Sequence, residues 1–429
     1  MTTFALLSTL VCLAAVFGLV SHRVLRLPTA IGTTILSLAA AAAILAGGRL
    51  APGLRAGAEH VVSGIDFNAV VLHGMLAFLL FAGALQLDLE ELSRQKLTVA
   101  SLSIFATAIS TVLVAATFKG ALLLIGIPLS WMGALLFGAL ISPTDPIAVL
   151  EMLRRVGAPA EIEAQLAGES LFNDGVGAVI FLAMVDASTS GAVPSLGRFG
   201  LLLLLKAAGA VGLGALLGYV TYRLLLLVDS YRIEVLLTLA LAMGGYALAD
   251  ALHMSAPLEV VTAGLLVSGR ARGLAMSERT RAHVDTFWEL LDDIFNVVLF
   301  LLLGLELLVL PTGGRVVAAG LLAIPVVLLA RFGSVGLTVG ALAVIRKRTP
   351  GALSVLTWGG LRGGLAVALA LSVPQSRGSE RSLLLGTTYV VVLFSIVVQG
   401  LTIAPLLRRL GLKAGVGEAR SIEAGLLGR

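Results

Sequence analysis

The sequence contains few charged residues, few aromatic residues and a single cysteine. Asp, Glu, Lys and Arg make up 13% of the 429 residues, whereas soluble domains carry about a quarter. This composition excludes an ordinary soluble protein. The lone cysteine, Cys12, excludes an intrachain disulfide and a cysteine metal site. The five histidines show no metal-ligand spacing, and no Gly-x-x-x-x-Gly-Lys-[Ser/Thr] phosphate-binding loop is present.

Apolar residues are abundant instead. They make up 58% of the chain, the mean hydropathy is +1.02, and the 49 glycines are suited to close packing of membrane helices. Apolar runs of about twenty residues between charged or Pro/Gly breaks predict spanning helices. The sequence therefore predicts an all-α integral membrane protein with about thirteen such helices, at roughly 4–22, 28–46, 67–87, 97–117, 129–151, 165–186, 199–227, 233–253, 257–270, 285–308, 314–345, 350–373 and 383–408.

The distribution of Lys and Arg predicts the orientation. Twenty lie in the loops after odd-numbered helices and in the C-terminal tail, seven lie on the other side, and three fall inside predicted helices. By the positive-inside rule, the N-terminus lies outside and the C-terminus in the cytoplasm of a cell (inner) membrane. No basic residue precedes the first run, which argues against a signal peptide. We expect one membrane domain over 1–429, with a short cytoplasmic tail from about 410.

The most polar part of the predicted membrane region is the stretch 168–175, Gly-Glu-Ser-Leu-Phe-Asn-Asp-Gly, in predicted helix six. On a helix, Glu169 lies one turn from Asn173, and Ser170 lies one turn from Asp174. Polar groups inside a membrane are costly when they face lipid, so these side chains should face inward and carry function. Oxygen ligands of this kind suit a hard cation or a proton.

Two predicted helices contain sequences that a continuous helix does not tolerate. Helix five contains Ser-Pro-Thr-Asp-Pro at 142–146, and helix twelve contains Trp-Gly-Gly-Leu-Arg-Gly-Gly at 358–364. Prolines remove backbone donors and glycines favour interruption. The two helices cross in opposite directions, so the pattern predicts inverted repeats with two crossed, discontinuous helices around a midplane ion site, as in secondary transporters. Charged residues Asp145 and Arg362 would offset the half-helix dipoles. The alternatives are a loop turn at 142–146 and packing glycines at 358–364.

A further charge, Arg331, lies near the centre of predicted helix eleven. A buried cation needs an anion, and the candidates are Glu169 and Asp174. We favour Glu169, which leaves Asp174 free for a ligand. The alternative is that Arg331 extends to the cytoplasmic face.

Other charged residues suggest less specific roles. Lys206, near the outer start of helix seven, is expected to extend to the membrane surface. Glu259 and Glu306 fall near helix ends, where a solvated position is expected. Asp292 and Asp293, at the cytoplasmic start of helix ten, are candidates to line a cytoplasmic funnel.

The order of these motifs resembles a known family. Thr-Asp-Pro in helix five, Glu-Ser-x-x-Asn-Asp in helix six, a mid-helix Arg in helix eleven and Gly-Leu-Arg-Gly in helix twelve resemble the monovalent cation:proton antiporters. The Asn-Asp pair is similar to the sodium/proton exchanger branch, often called NhaP-type. The match extends over the whole chain and its helix count.

The resemblance implies a role for each residue of the site. Asp174 would be the carboxylate that binds either a cation or protons. Asp145, Ser170 and the Thr144 backbone would complete the ligands of the transported Na⁺. Asn173 stands where the electrogenic branch has a second aspartate, which implies one-for-one, electroneutral exchange.

The resemblance also implies supporting roles and an assembly. Glu169 would pair with Arg331 and hold Asn173 in place, and Arg362 would steady the crossed helices. The protein would be a homodimer with a dimer domain beside a moving six-helix core. Many relatives carry a glutamate in helix three, where this chain has Phe-Ala-Gly at 81–83.

The sequence therefore predicts a secondary active transporter that exchanges Na⁺ (or Li⁺) for H⁺ by alternating access. Its partners would be these ions and the lipid bilayer, with no cofactor and no nucleic acid. One alternative is a cation channel or uniporter that uses the same oxygens without proton exchange. The other is an intramembrane protease with Asp145 and Asp174 as a dyad, but Gly-x-Gly-Asp, His-Glu-x-x-His and Gly-x-Ser-Gly are absent. We therefore expect a transporter rather than an enzyme.

Overall fold

The computed structural model describes residues 3–48, 52–190, 196–269, 276–310, 313–344 and 350–411, and within these ranges no β-strand forms. The predicted tail lies outside them from residue 412 onward. In chain order the α-helices are α1 Thr3–Val20, α2 Thr29–Gly47, α3 Pro52–Ser63, α4 Leu76–Gln86, α5 Leu89–Ser101, α6 Thr107–Leu124, α7 Trp131–Ile141, α8 Ile147–Val156, α9 Ala160–Ser190, α10 Leu196–Leu225, α11 Tyr231–Ala251, α12 Ala256–Val267, α13 Glu278–Leu305, α14 Gly314–Leu342, α15 Ala352–Trp358, α16 Gly364–Leu371, α17 Gly378–Phe394 and α18 Gly400–Arg409.

Some of these helices are joined by short π-helical turns into longer rods. Turns at Ala69–Met75, Leu102–Ala106 and Ser395–Gln399 connect directly into α4, join α5 to α6 and join α17 to α18. Among the described residues, nine continuous helical stretches are long and apolar enough to cross a bilayer. The all-helical membrane fold is thereby confirmed, whereas the count of thirteen crossings and the crossing of the two discontinuous helices stay predictions.

The helices differ from the prediction in two ways: one begins earlier, and one was not predicted. The rod that contains predicted helix four begins at Leu89 rather than near 97. Asp88 caps its N-terminus by accepting hydrogen bonds from the backbone N–H groups of Glu90 and Glu91. Because this first turn is charged, a search for apolar runs does not detect it. The helix α3 was not predicted at all, because its Arg55–Glu59 ion pair and other polar residues interrupt the apolar pattern.

The buried apolar side chains form two main clusters. The larger one draws on α2, α6 to α9 and α14 to α18, and the smaller one on α4, α11 and α12. Helix α13 belongs to both, because Val284 and Trp288 pack in the smaller cluster while Leu299 to Leu305 pack in the larger one. The candidate site lies where α13, α4 and the larger cluster meet.

Two acidic residues that were expected to be solvated are buried. Glu259, in the first turn of α12, is 0% exposed, and Glu306, just after α13, is 7% exposed. The expectation was wrong because position near the end of an apolar run does not reveal which neighbouring helices cover that end. Lys206 is partly exposed, with its ammonium 3.3 Å from a carboxylate oxygen of Asp186; its extension to the membrane surface stays a prediction.

Candidate functional site: carboxylates between two interrupted helices

The first interruption separates α7 from α8. Helix α7 ends at Ile141 and α8 begins at Ile147, because Pro143 and Pro146 cannot donate backbone hydrogen bonds. The Asp145 carboxylate accepts the Ile147 N–H at 3.1 Å. Asp145 is therefore fixed at the N-terminus of α8, where a negative charge is stabilised by the helix dipole.

The second interruption separates α15 from α16 and pairs with the first. The backbone N–H of Asp145 donates to the Leu361 carbonyl at 2.8 Å, which gives a single antiparallel bridge. Gly363 makes this approach possible, because a Cβ atom there would lie 2.2 Å from Asp145 Oδ2. Only glycine fits at this position without displacing the carboxylate.

Arg362 joins the two interruptions through its side chain. The side chain is buried, and Nη1 donates to the carbonyl oxygens of Ser142 at 2.5 Å and Pro143 at 2.8 Å. These carbonyls follow the C-terminus of α7, where the partial charge is negative. The Arg362 backbone N–H donates to Ser395 Oγ at 2.8 Å. The guanidinium thus stabilises the end of one half-helix from within the other interruption.

Helix α9 holds Thr144 by three hydrogen bonds. The Asn173 amide oxygen accepts the Thr144 N–H at 3.2 Å, and its nitrogen donates to Thr144 Oγ1 at 2.9 Å. The Ser170 hydroxyl donates to the Thr144 carbonyl. Asn173 therefore engages Thr144 with both polar atoms, rather than being held by Glu169 as the resemblance implied.

Glu169 and Arg331 form a buried, two-pronged ion pair. The Nη1–Oε1 distance is 2.5 Å and the Nη2–Oε2 distance is 2.9 Å, and both residues are at most 1% exposed. Arg331 also donates to the Leu356 carbonyl through Nε and Nη2. A Cβ atom at Gly360 would lie 2.8 Å from Arg331 Nε, so this glycine leaves room for the guanidinium. Arg331 neither extends to the surface nor pairs with Asp174.

A cavity of about 710 Å³ reaches this region. Asp145 and Asp174 are only partly buried because they line it, so two carboxylates share one cavity. Further acidic side chains line its wall on α8 and α13, in agreement with the funnel hypothesis. The polar residues that line the cavity are Thr29, Gln86, Thr144, Asp145, Glu151, Ser170, Asp174, Glu289, Asp292, Asp293 and Asn296, with Arg154 and Arg155 at the end of α8.

The predicted third span, 67–87, which the structure describes in full and which contains α4, contributes no carboxylate to the cavity. Ala82 is fully buried and Gly83 lines the cavity without a side chain. One turn further on, Gln86 lines the same cavity and lies beside Asp292. Gln86 was missed by the sequence analysis, although a lone amide in an apolar helix is itself a signal of a polar environment.

Two further residues that sequence reasoning missed support the second interruption. Ser395 Oγ donates to Gln399 Oε1 at 2.7 Å, and Gln399 Nε2 donates to the Trp358 carbonyl at 2.8 Å. Both are buried. Their spacing of four residues within an apolar helix places them on one face, which is the signal by which they can be found.

This arrangement defines a class of protein. Two interrupted helices meet inside a helical membrane fold, and residues of the first interruption, Thr144 and Asp145 among them, line a cavity. Such paired interruptions are typical of secondary transporters, and the hydroxyl, carbonyl and carboxylate oxygens of the site suit a hard cation or protons. The site is therefore that of a secondary ion transporter.

Comparison with known proteins identifies the family. The family description "Sodium/hydrogen exchanger, transmembrane" matches residues 9–409. The chain is 42% identical over 414 residues to the Na⁺/H⁺ antiporter NhaP of Pseudomonas aeruginosa, covering 94% of this chain and 96% of that one. It is 34% identical to the Na⁺/H⁺ antiporter NhaH of Halobacillus dabanensis, covering 82% and 86% of the two chains. The chain belongs to the sodium/hydrogen exchanger family.

The fold agrees with a solved member of that kind. The sodium proton antiporter MjNhaP1 from Methanocaldococcus jannaschii superimposes with a TM-score of 0.74 over 96% of this chain and 98% of that chain. The sequences are 21% identical, so this likeness supports the fold and not the details of the site.

Proposed function

We propose that the protein exchanges Na⁺ for H⁺ across the membrane by alternating access, with Asp174 as the group that the two ions share. The observation that carries this proposal is the position of Asp174, at the cavity beside the interruption that holds Asp145 and Thr144. Family membership supports the same reaction, because the relatives are named Na⁺/H⁺ antiporters.

A single carboxylate couples the two ions because their binding is mutually exclusive. A proton on Asp174 removes the negative charge that attracts Na⁺, and bound Na⁺ disfavours protonation. Exchange follows when the site changes its exposure only with one of the two ions bound. The same argument admits Li⁺, which presents the same charge to the same oxygens.

The remaining residues supply ligands or position them. Asp145, Ser170 and the Thr144 carbonyl are the proposed further oxygen ligands of the transported ion. Asn173 contributes by fixing Thr144, to which both of its polar atoms bond. We propose that the Glu169–Arg331 pair and Arg362 hold α9 and the two interruptions in fixed relative positions. In this proposal they do not contact the transported ion.

The conformation and the assembly complete the proposal. The cavity reaches the C-terminal end of α8 through Arg154 and Arg155, which the distribution of basic residues assigns to the cytoplasm. We therefore infer an inward-facing state, with the N-terminus outside. The homodimer with a separate dimer domain rests on the motif resemblance alone.

The test is proton flux driven by a Na⁺ gradient in reconstituted vesicles. Asp174→Asn should abolish this flux while the protein stays folded, since an amide does not titrate. The matched control is Asp186→Asn on the same helix, whose carboxylate is 71% exposed and which should leave the flux unchanged. Substantial flux in a folded Asp174→Asn protein contradicts the assignment. Na⁺ entry without counter-movement of protons in the parent protein indicates a channel instead.

A further inference from the structure

Asn68 makes a contact that the site described above does not use. It precedes the π-helical turn that leads into α4, and its amide nitrogen donates to the Ala368 carbonyl at 2.9 Å and to the Ser372 hydroxyl. The Ser372 hydroxyl in turn donates to the Ala368 carbonyl at 3.0 Å. Both amide protons of Asn68 therefore have an acceptor at the C-terminal end of α16.

The cavity reaches the C-terminal end of α8 at Arg154 and Arg155, and we take this end as its mouth. The Asn68 contact lies toward the other end. Helix α4 lines the cavity from Leu76 to Gln86, and Val71 of the preceding turn lines it as well. Asn68 lies before Val71 in the chain, outside the cavity lining. Helix α16 lines the cavity at its N-terminus with Gly364, whereas Ser372 follows its C-terminus. Both helices thus border the cavity, and Asn68 joins them just outside its lining.

We propose that Asn68 is a latch that keeps the site closed on the side opposite the cavity mouth. The latch must release in each cycle, because exposing Asp174 to the other side requires the far ends of α4 and α16 to separate. This inference rests on the exchange proposed above. In this inference Asn68 binds neither ion. It governs which side of the membrane the site faces.

The first test measures access from the closed side. Cys12 is the only cysteine, so Cys12→Ser gives a background in which Val71→Cys is a single reporter. Val71 is 1% exposed and lies at the closed end of the cavity. A membrane-impermeant maleimide is added only to the membrane face opposite the cavity mouth. The modification rate measures how often that side opens.

Removing the latch should raise this rate in steps. A net hydrogen bond changes an equilibrium by about two- to tenfold. Ser372→Ala removes one acceptor and should raise the rate by about that factor, and Asn68→Leu removes both bonds and should raise it further. The control Ser63→Ala, at an exposed serine bonded only to the carbonyl of His60, should leave the rate unchanged. Equal rates in all variants overturn the proposal.

The second test fixes the latch instead of breaking it. In the Cys12→Ser background, Asn68→Cys with Ser372→Cys is bridged by a short bifunctional thiol reagent that a reductant cleaves. Bridging should stop Na⁺-driven proton flux, and cleavage should restore it. Flux that continues in the bridged protein overturns the latch. Flux that is absent even before bridging, and absent in the Cys12→Ser parent, contradicts the proposed exchange itself.

Discussion

At the scale of single residues, the region around the two interruptions combines three carboxylates with two guanidinium groups. These are Asp145, Asp174, Glu169, Arg331 and Arg362. The buried Glu169–Arg331 pair cancels its own charge, and Arg362 lies at the carbonyls just before Asp145. One negative charge therefore remains for Asp145 and Asp174, which both line the cavity. Because Asp145 is held by the Ile147 N–H at the N-terminus of α8, we propose that Asp174 is the group that exchanges ions.

The Glu169–Arg331 pair should be revealed by a double-mutant cycle. Leaving one partner of a buried pair alone costs about 3–5 kcal/mol, so Arg331→Met should lower the thermal stability strongly. Adding Glu169→Gln should recover part of that loss because no bare charge remains. Thermal unfolding in detergent measures both. If the two losses simply add, the pair does not contribute as the geometry implies.

Gly363 should be intolerant of even one added carbon. Gly363→Ala places a Cβ atom 2.2 Å from Asp145 Oδ2, so the carboxylate must move and exchange should fall by at least tenfold, equivalent to about 1.4 kcal/mol or more in the transition state. Gly244→Ala is the matched control, since nothing lies within 4 Å of the added atom there. Equal exchange rates in the two variants contradict a requirement for close approach.

At the scale of secondary-structure elements, the interruptions carry the function. Their locations could be predicted from Pro143 and Pro146 in one helix and from the glycines around Arg362 in the other, because both effects are local. The Asp145–Leu361 bridge could not be predicted, since it joins residues more than two hundred positions apart. It depends on how the helices pack, which the local sequence does not encode.

The Glu169–Arg331 ion pair could be predicted from the sequence, whereas the burial of Glu259 and Glu306 could not. Glu169 was a predictable partner for Arg331 because a buried guanidinium needs a carboxylate and few were within the membrane. Glu259 was misjudged because its burial is decided by α10 and α11, which pack against α12. The cost of burying an unpaired charge therefore predicted that Arg331 has a partner. The burial of Glu259 depends on the packing of neighbouring helices, which the local sequence does not reveal.

The link between the two interrupted helices should depend on the shape of Arg362 and not only on its charge. In the arginine, Nη1 alone donates to both the Ser142 and Pro143 carbonyls. A lysine keeps the charge, but its ammonium lies one bond closer to the backbone and is not held in a planar guanidinium, so Arg362→Lys should fail to reach both carbonyls. A buried acceptor without a partner costs about 1–3 kcal/mol, and both stability and exchange should fall. Arg94→Lys, at an exposed arginine, is the control. Unchanged thermal stability and flux in Arg362→Lys would show that the reach and shape of the guanidinium are unimportant.

At the scale of the whole molecule, the central claim is that one carboxylate alternates between one Na⁺ and one H⁺. Asn173 is an amide, which carries no second proton, and it is already engaged by Thr144. Asp145 is the other carboxylate at the cavity, and we propose that the Ile147 N–H at the N-terminus of α8 helps to keep it ionised. We therefore predict that the same charge moves in each direction and that no net charge crosses the membrane.

The most direct measurement is Na⁺-driven proton flux in vesicles clamped at zero and at an inside-negative potential. A potential acts on one net charge with about 2.3 kcal/mol per 100 mV, which is large enough to move the equilibrium endpoint clearly. We predict the same rate and the same endpoint at both potentials. An endpoint that shifts with voltage would contradict one-for-one exchange, and it would show that a second group, with Asp145 as the first to be tested, gains and loses a proton in each cycle.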